Sequence, residues 1–507
     1  MKYHSLFILV LLISLAGYAQ KKSANPKPFA ASITETDLKK HLYTVASKEM
    51  EGRETATEGQ RKAAAYIENT FKTLGLQPGY QGSYQLPYPV YRDSVVSARM
   101  VINGKELVVN KDFQPSLQSN NSGSMYFSEV TFAGYGIIDS TYNSYGSGNV
   151  RGKAVLILEG GPEGFKGGRG RFSPATAFAK ILSAREKGAA AVFLVTSNFR
   201  PAGPGNMYVN IFKESQYPAI YSISDNTAQL LAGASWSAMK EKVKTEKKDP
   251  MPLKVEVQLE LDKKIQKLQS SNVLGVVEGT DKKNEYLVIT AHYDHLGKQG
   301  ETVFYGADDD GSGTVSVLEI AEAFAKAKAA GKGPRRSVLF MTVSGEEKGL
   351  WGSQYYSNHP TISPELITAD LNIDMIGRID TERKKPDTLN YVYVVGDDKL
   401  SSDLKPLSEG ANNKYTKLVL DYKFNDPKDV SRIYFRSDHY NFARIGIPVI
   451  FYYDGMLLAD YHKPTDTPDK INYKLLAKRA QLVFYTAWKM ANWETMMKRD
   501  IPLPKME

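Results

Sequence analysis

The 507-residue sequence contains no cysteine. This absence excludes disulfide bonds as a source of stability and excludes lipid attachment at a cysteine. Any metal site in the folded chain must therefore be built from histidine, aspartate and glutamate side chains. Histidine is itself scarce, with seven residues in the whole chain, so the places where histidines meet acidic residues are candidate metal sites.

Long apolar runs are also missing beyond the N-terminus, so no later segment is expected to span a membrane. The sequence has no internal repeat and no low-complexity tract. Its formal net charge of +9 comes from basic residues that alternate with acidic ones, which indicates a solvated surface and not a nucleic-acid-binding patch. With 42% hydrophobic and 24% charged residues, the chain has a globular composition, and its length predicts two or three domains.

The N-terminus has the pattern of an export signal. Lys2 provides a positive start, residues 6–16 form an apolar run, and the small residues Gly17 and Ala19 precede a cleavage site after Ala19. The alternative is a retained membrane anchor, but the run is short for a spanning helix. We therefore predict a signal peptide over residues 1–19 and export to the periplasm or to the outside of the cell.

The next part of the chain changes from a helical to a strand-and-loop pattern. A polar linker over residues 20–32 precedes apolar residues at helical spacing within 34–76, and alternating strand patterns begin near residue 80. The glycine-rich stretch Gly160–Gly170 lacks the Gly-Lys-Ser/Thr ending of a phosphate loop, so it is interpreted as a surface loop. The charged stretch Lys240–Pro250 is interpreted as a domain boundary.

Acidic residues and histidines gather after the predicted strands of the second half, where strands and helices alternate as in an α/β layered domain. Ligands bind at the carboxyl ends of strands in such sheets. Taken singly, most of these clusters have ordinary explanations, such as a helix N-cap or a solvated turn. Together they indicate a zinc site, because zinc accepts mixed histidine and carboxylate ligands. The clusters lie in residues 291–297, 306–313, 345–347, 372–377 and 461–466.

In this order, the clusters resemble the M28 family of zinc peptidases, which includes secreted bacterial aminopeptidases. The resemblance extends to Glu51-Gly52-Arg53 in the N-terminal helical region. The segment before the second half resembles an inserted protease-associated (PA) domain, on the strength of residues 132–137 and Gly152-Lys153-Ala154. The implied fold is a three-layer α/β/α catalytic domain with a mixed central sheet and a smaller β-rich inserted domain. From the change of sequence pattern and the charged stretch, we place the domain boundaries at 33–109 and 256–495 for the peptidase domain, 110–255 for the insertion and 496–507 for a tail.

The resemblance also implies two zinc ions per chain. His292 and Asp374 would hold one ion, Glu347 and His462 would hold the other, and Asp309 would bridge the two. All five positions carry ligand residues, which argues against a non-catalytic relative.

Further residues take roles around these ligands in the family pattern. Asp294 would orient the ring of His292, Glu346 would be the general base, and Tyr461 would hydrogen-bond the developing oxyanion. Arg436 either orients the substrate or forms a structural ion pair. Scaffold or surface positions are expected for the remaining neighbours, namely Asp308, Asp310 and His295.

The function implied is that of an aminopeptidase acting on peptides with a free N-terminus. A dipeptidase or carboxypeptidase of the same family, a single-zinc glutaminyl cyclase of the same fold, and a binding protein on the same scaffold are the alternatives. Two zinc ions per chain would favour the peptidase, and one would favour the cyclase. The sequence carries no sign of the oligomeric state.

Overall fold

The computed structural model describes residues 24–167, 173–196, 207–245 and 249–504. The predicted signal peptide, residues 1–19, lies outside the described residues. The chain folds into two compact units. The first comprises the described residues up to Pro87 and from Ser270 onward, and the second comprises Tyr88–Gln269.

Helices and strands alternate through most of the chain. The α-helices in chain order are α1 Lys27–Ala30, α2 Glu35–Val45, α3 Glu58–Thr73, α4 Ala177–Glu186, α5 Asp225–Ala232, α6 Trp236–Thr245, α7 Gly313–Ala329, α8 Trp351–Asn358, α9 Leu404–Tyr415, α10 His439–Arg444 and α11 Tyr473–Ala491. The strands are β1 Gln77–Pro78, β2 Gln85–Ile102, β3 Lys105–Glu106, β4 Phe113–Pro115, β5 Gly123–Phe132, β6 Ala154–Leu158, β7 Ala191–Val195, β8 Met207–Asn210, β9 Ala219–Ile223, β10 Met251–Val277, β11 Lys282–His292, β12 Lys298–Gln299, β13 Thr302–Val303, β14 Arg336–Val343, β15 Ile367–Ile373, β16 Tyr391–Val395, β17 Val419–Asp421 and β18 Val449–Tyr453.

The first unit is built on a mixed sheet. Strand β11 lies between β14 and β15 and is parallel to both, and β15 is parallel to β18. Antiparallel strands complete the sheet, since the end of β10 pairs with β14 and β16 pairs with β18. The parallel strands β11, β14, β15 and β18 therefore place their carboxyl ends along one edge.

Helices cover both faces of this sheet, as the alternation of side chains along its strands requires. In β11, Leu287 and Ile289 belong to a core that also contains residues of α2, α3, α7, α9 and α11. Between them, Val288 belongs to a second core on the opposite face, with Tyr356 of α8 and Phe442 of α10. The first unit is a three-layer α/β/α domain with a mixed sheet, which confirms the predicted fold class.

Side-chain caps explain where several of these helices begin. Thr34 accepts a hydrogen bond from the amide of Asp37 at the start of α2, and Asn472 accepts one from Leu475 at the start of α11. Each cap satisfies an amide that the first helical turn leaves without a partner. Among the described residues, no helix combines the length and apolar character needed to cross a membrane.

Parallel strands form the centre of the second unit. Strands β5, β6, β7 and β9 are parallel neighbours in that order, and the beginning of β10 pairs with β5 in the antiparallel sense. Alternate residues of β6 and β7 enter two separate cores. The segment Val192–Val195 pairs only with β6 and β9 in this part of the structure. The second unit therefore has its own hydrophobic interior on both faces of its sheet.

This unit extends beyond the predicted boundaries of 110 and 255. The residues before 110 belong to it because β2 pairs with β3 and with β8. The residues after 255 belong to it because β10 continues to pair with β5 as far as Leu261. The long strands run past the change in composition, which is why composition misplaced both boundaries.

Three local predictions need correction. Lys240–Thr245 lies within helix α6, where Met239 and Val243 are buried, so its lysines mark the solvated face of a helix and not a boundary. The predicted linker contains α1, whose Phe29 stacks on Trp488. The predicted tail is also packed, because Met497 is buried and the guanidinium of Arg499 donates to two backbone carbonyls. In each case buried apolar contacts fix a segment that looks polar by composition.

Candidate metal centre

The candidate ligands lie at the carboxyl-end edge of the first unit's sheet. His292 is the last residue of β11, Asp374 follows β15 directly, and Glu347 lies four residues beyond the end of β14. Asp309 is in the loop that leads into α7, and His462 is in the loop after β18. Five residues distant in sequence thus converge because parallel strands end together.

Two groups of side chains at this edge could each hold a metal ion. Group one consists of His292, Asp309 and Asp374. The Nε2 atom of His292 lies 3.2 Å from Oδ1 of Asp309 and 3.7 Å from Oδ1 of Asp374. All three side chains are buried.

Group two consists of His295, Asp309 and Glu347. The Nδ1 atom of His295 lies 2.8 Å from Oε1 of Glu347. His462 adjoins this group, with Nε2 3.1 Å from Oδ2 of Asp309 and 3.0 Å from Oε2 of Glu347. Asp309 belongs to both groups and offers one carboxylate oxygen to each.

The donor atoms of both groups fit divalent zinc. Buried polar atoms normally have hydrogen-bond partners, yet within the described residues several atoms of these groups have none. Nitrogen and carboxylate oxygen donors in this mixture suit zinc. The orphaned atoms are Nε2 of His292, Nδ1 and Nε2 of His295, Oδ2 of Asp309, Oε1 of Glu347 and Nε2 of His462.

The electrostatics of the centre favour a cation. Burial lowers the pKa of His462, but the carboxylates of Asp309 and Glu347 outweigh it and raise the pKa to about 10. Burial also acts against protonation of His292, and there too the surrounding carboxylates, led by Asp374, raise the pKa well above its ordinary value. The negative charge of these carboxylates keeps the buried histidines protonated. A bound metal ion can neutralise the same charge in place of the protons.

Glu346 lies beside the two groups without joining either. Its Oε2 atom is 3.9 Å from Nε2 of His292. Burial raises the pKa of Glu346 well above its ordinary value, His292 opposes this shift, and the carboxylates of Glu347 and Asp374 add to it. A carboxyl group with a raised pKa can take up and release a proton near neutral pH.

Asp294 holds the loop that carries His292 and the turn that carries Glu346. Its carboxylate accepts hydrogen bonds from the hydroxyl of Thr55 at 2.8 Å and from the amide of Glu346 at 3.2 Å. The Nδ1 atom of His292 is 3.6 Å from this carboxylate and 3.1 Å from the backbone carbonyl oxygen of Asp294. Asp294 therefore fixes the His292 ring through its carbonyl as much as through its side chain.

Tyr461 and Arg436 line the same pocket as Glu346, Asp374 and Asp309. The guanidinium of Arg436 donates to the hydroxyl oxygen of Tyr461 at 3.1 Å, and the Tyr461 ring stacks on that of His462. Burial, and then the charge of Asp309, raises the pKa of Tyr461. The phenol therefore stays protonated and keeps a hydrogen to donate. No carboxylate pairs with Arg436 among the described contacts.

Arg53 holds the backbone of the ligand loops. Its buried guanidinium donates to the carbonyl oxygens of Tyr293 at 2.6 Å, Tyr305 at 2.8 Å and Gly306 at 2.9 Å. A further bond, at 2.9 Å, reaches Val45 in α2. This side chain therefore ties the His292 loop and the Asp309 loop to the N-terminal helices.

Asp310 and Asp308 lie in the scaffold, as the sequence analysis expects, and both are buried. The carboxylate of Asp310 accepts from the amides of His292, Gly313 and Met375. The peptide bond that joins Asp309 to Asp310 is cis. The carboxylate of Asp308 accepts from the amide of Gly377 at 2.8 Å.

Ser437 is a residue that the sequence analysis does not single out for a role. Its hydroxyl donates to Oδ2 of Asp374 at 2.6 Å and accepts from the side-chain amide of Asn372 at 2.9 Å. A hydroxyl that fixes a ligand carboxylate raises the affinity of the site for its metal. The only sequence signal for it is the position of Ser437 between Arg436 and Asp438 in a polar loop.

Replacing Ser437 with alanine should weaken zinc binding at group one by about 10–100-fold. The reason is that Oδ2 of Asp374 loses its hydroxyl donor and the carboxylate is free to rotate. Competition titration against a zinc indicator measures this affinity. The matched control is Ser402→Ala, which removes an exposed hydroxyl that bonds only to Asp500. Equal zinc affinity in both variants would contradict the role given to Ser437.

His295 was expected at a scaffold or surface position, but the structure places it among the candidate ligands. The side chain is fully buried and is a member of group two. The spacing His-x-x-His at a strand end is the signal that could have revealed it. His292 and His295 direct their rings to different groups.

Comparisons with known proteins show that the chain is similar to peptidases. Residues 272–487 match the model of Peptidase family M28. A probable leucine aminopeptidase of Arthroderma otae is 29% identical over 231 residues, a match that covers 44% of this chain and 59% of that relative. The chain thus matches less than two thirds of the relative's length.

Two solved structures share the fold over nearly the whole chain. An aminopeptidase from Aneurinibacillus sp. strain AM-1 is 18% identical with a TM-score of 0.57, covering 95% of this chain and 99% of that one. The zinc aminopeptidase BSAP from Bacillus subtilis is 20% identical with a TM-score of 0.51, covering 92% and 96% respectively.

An α/β/α domain with two adjoining histidine–carboxylate groups at its strand ends is the architecture of a metallopeptidase. Within that class, residues 272–487 belong to peptidase family M28.

Proposed function

We propose that the protein is a zinc aminopeptidase that binds two zinc ions per chain and releases N-terminal residues from peptides. The observation that supports this most directly is the pair of donor groups that share Asp309, with Glu346 beside them and outside both. Zinc bound there would supply Lewis acidity toward a water molecule and toward the scissile carbonyl. The names of the similar proteins point to the same activity.

Glu346 is the proton carrier in this proposal. Its carboxylate takes the proton of the attacking water and delivers it to the nitrogen of the leaving amine. The position of Glu346 supports this role, because its backbone amide is held by Asp294 while its side chain reaches toward His292. Glu347, the next residue, turns to group two. Neighbouring carboxylates thus divide ligand and proton-transfer roles.

Tyr461 stabilises the charge that develops on the substrate oxygen. Its phenol is protonated, and Arg436 occupies an acceptor position of its oxygen, so the hydroxyl hydrogen is free to point into the pocket. A hydrogen bond donated there gains strength as negative charge grows on the oxygen. Arg436 positions Tyr461 through this contact.

The substrate should need a free α-amine. Glu346 lies beside the donor groups and belongs to neither, so its carboxylate can pair with an ammonium group that enters the site, whereas an acetamide cannot form that ion pair. N-acetylation of a good peptide substrate should therefore reduce cleavage at least about 100-fold. Liquid chromatography of the products measures this directly.

Amidation of the peptide's C-terminus is the control and should change the rate little. Strong dependence on the free carboxylate, with tolerance of acetylation, would reassign the protein as a carboxypeptidase. Turnover of N-terminal glutamine in peptides that are not otherwise cleaved would indicate a glutaminyl cyclase.

The proposal also covers the export of the protein and the nature of its second unit. The apolar run of residues 6–16 supports a signal peptide cleaved after Ala19 and a periplasmic or extracellular location. The motifs at 132–137 and 152–154 lie at the end of β5 and the start of β6, and they support the interpretation of the second unit as a PA-like insertion.

A further inference from the structure

We propose that His295 is a zinc ligand of group two, so that one of the two ions is held by four protein side chains. These are His295, Asp309, Glu347 and His462. The inference rests on the proposed function, because it concerns the ions on which that function depends. It adds a third histidine to a centre in which the family resemblance implies two.

The distances around Glu347 carry this inference. Nδ1 of His295 and Nε2 of His462 lie 2.8 Å and 3.0 Å from different oxygens of the Glu347 carboxylate. Both nitrogens also face Oδ2 of Asp309, at 3.9 Å and 3.1 Å. The two imidazoles thus approach the same pair of carboxylates, and their rings meet edge to face with centroids 5.9 Å apart.

The contact between His295 and Glu347 is close but is not aligned as a hydrogen bond. Neither Nδ1 of His295 nor Oε1 of Glu347 has a hydrogen-bond partner within the described residues, although they are 2.8 Å apart. A buried histidine in a purely structural role normally has at least one ring nitrogen hydrogen-bonded. His439 shows that pattern in this chain, since its Nε2 bonds to the carbonyl oxygen of Tyr434. His295 instead directs an unpartnered nitrogen toward two carboxylates.

The backbone holds the His295 ring in place. Gly306, which has a φ of +56°, packs so closely that a Cβ there would lie 2.4 Å from Cγ of His295. The amide of His295 donates to the carbonyl oxygen of Arg53 at 3.3 Å. A ring confined in this way presents Nδ1 to group two before any ion binds, which lowers the cost of organising the site.

The consequence is that the two ions are held differently. Four protein ligands at group two complete the usual coordination of a structural zinc site, whereas group one keeps an open position, as catalytic zinc sites do. Group two should therefore bind its ion more tightly and release it last on chelation. Group one should hold the exchangeable ion, on the side where Glu346 lies.

The test measures zinc binding by the full mature chain independently of turnover. The metal-free protein is titrated with Zn²⁺ against a competing indicator, with His295→Ala compared with wild type. The expected result is a loss of about 10–100-fold in affinity at the tighter site, with the weaker site little changed. The matched control is His359→Ala, which removes an exposed histidine at the end of α8 that belongs to neither group. It should titrate as wild type does.

X-ray absorption of the wild-type zinc protein gives a second readout that does not depend on the folding of a variant. Three imidazole ligands shared between two zinc ions are expected, against two if His295 is not a ligand. Two imidazoles, or unchanged affinity at both sites in His295→Ala, would overturn the assignment. Three imidazoles in a protein that cleaves no peptide would uphold it while rejecting the proposed function.

Discussion

Replacing Glu346 with glutamine should leave both zinc sites loaded and reduce turnover by about 10²–10⁴-fold. Glutamine keeps the size and hydrogen-bonding capacity of the side chain but cannot carry a proton. Because Glu346 belongs to neither donor group, zinc content should not change. Peptide hydrolysis at saturating substrate gives the rate, and elemental analysis of the same preparation gives the zinc content.

Glu347→Gln is the matched control, since it makes the same chemical change one residue away. Its carboxylate is within 3.0 Å of His462 and belongs to group two, so this variant should lose zinc. Zinc loss from Glu346→Gln, with Glu347→Gln fully loaded, would show that the two roles are reversed. Near-normal turnover by Glu346→Gln would remove it from the mechanism.

Replacing Arg53 with methionine should lower the free energy of unfolding of the first unit by about 3–5 kcal/mol. Methionine fills similar space but leaves four carbonyl oxygens, three of them fully buried, without their charged donor. Because three of these carbonyls belong to the loops of His292 and Asp309, zinc affinity should fall as well. Denaturant unfolding followed by tryptophan fluorescence, with and without zinc, measures both effects.

Arg61→Met is the control for removing an arginine from the same N-terminal segment. Arg61 is exposed and pairs only with Glu58 on the surface of α3, an interaction worth at most about 1 kcal/mol. If Arg53→Met unfolds as easily as Arg61→Met, the buried contacts of Arg53 contribute little and its role in holding the loops is wrong.

The fold of the first unit could be predicted from sequence because its elements carry strong local patterns. Helix α11 has apolar residues at helical spacing, and strand β16 is a short continuous apolar run. Such patterns predict a helix and a buried strand without knowledge of the fold. The boundaries of the second unit could not be predicted from sequence, because β2 and β10 are long strands whose composition changes partway along them.

The ligand positions were predictable for a related reason. His292, Asp374 and Glu347 lie at or just beyond strand ends, and parallel strands bring such ends together whatever their separation in sequence. Asp309 and His462 lie in loops further from a strand, and the family pattern identified them. The structure brings His292, Asp309, Asp374, Glu347 and His462 to one place. The contacts of His295 and Ser437 with the ligand carboxylates could not be predicted from the sequence, because they depend on the orientation of a ring and of a hydroxyl group. No periodic sequence pattern indicates these orientations.

The contacts of Arg53 also determine when the centre can form. Arg53 is separated by 240 residues from Tyr293 and by 253 residues from Gly306, and the second unit lies between them in the chain. Closing so long a loop costs entropy before any contact compensates for it, which slows folding. The second unit is complete once residue 269 has been synthesised, so it can fold first and shorten the effective separation. His462 lies nearly 200 residues further on, and zinc uptake is therefore expected as a late, post-translational event that follows assembly of the two halves of the first unit.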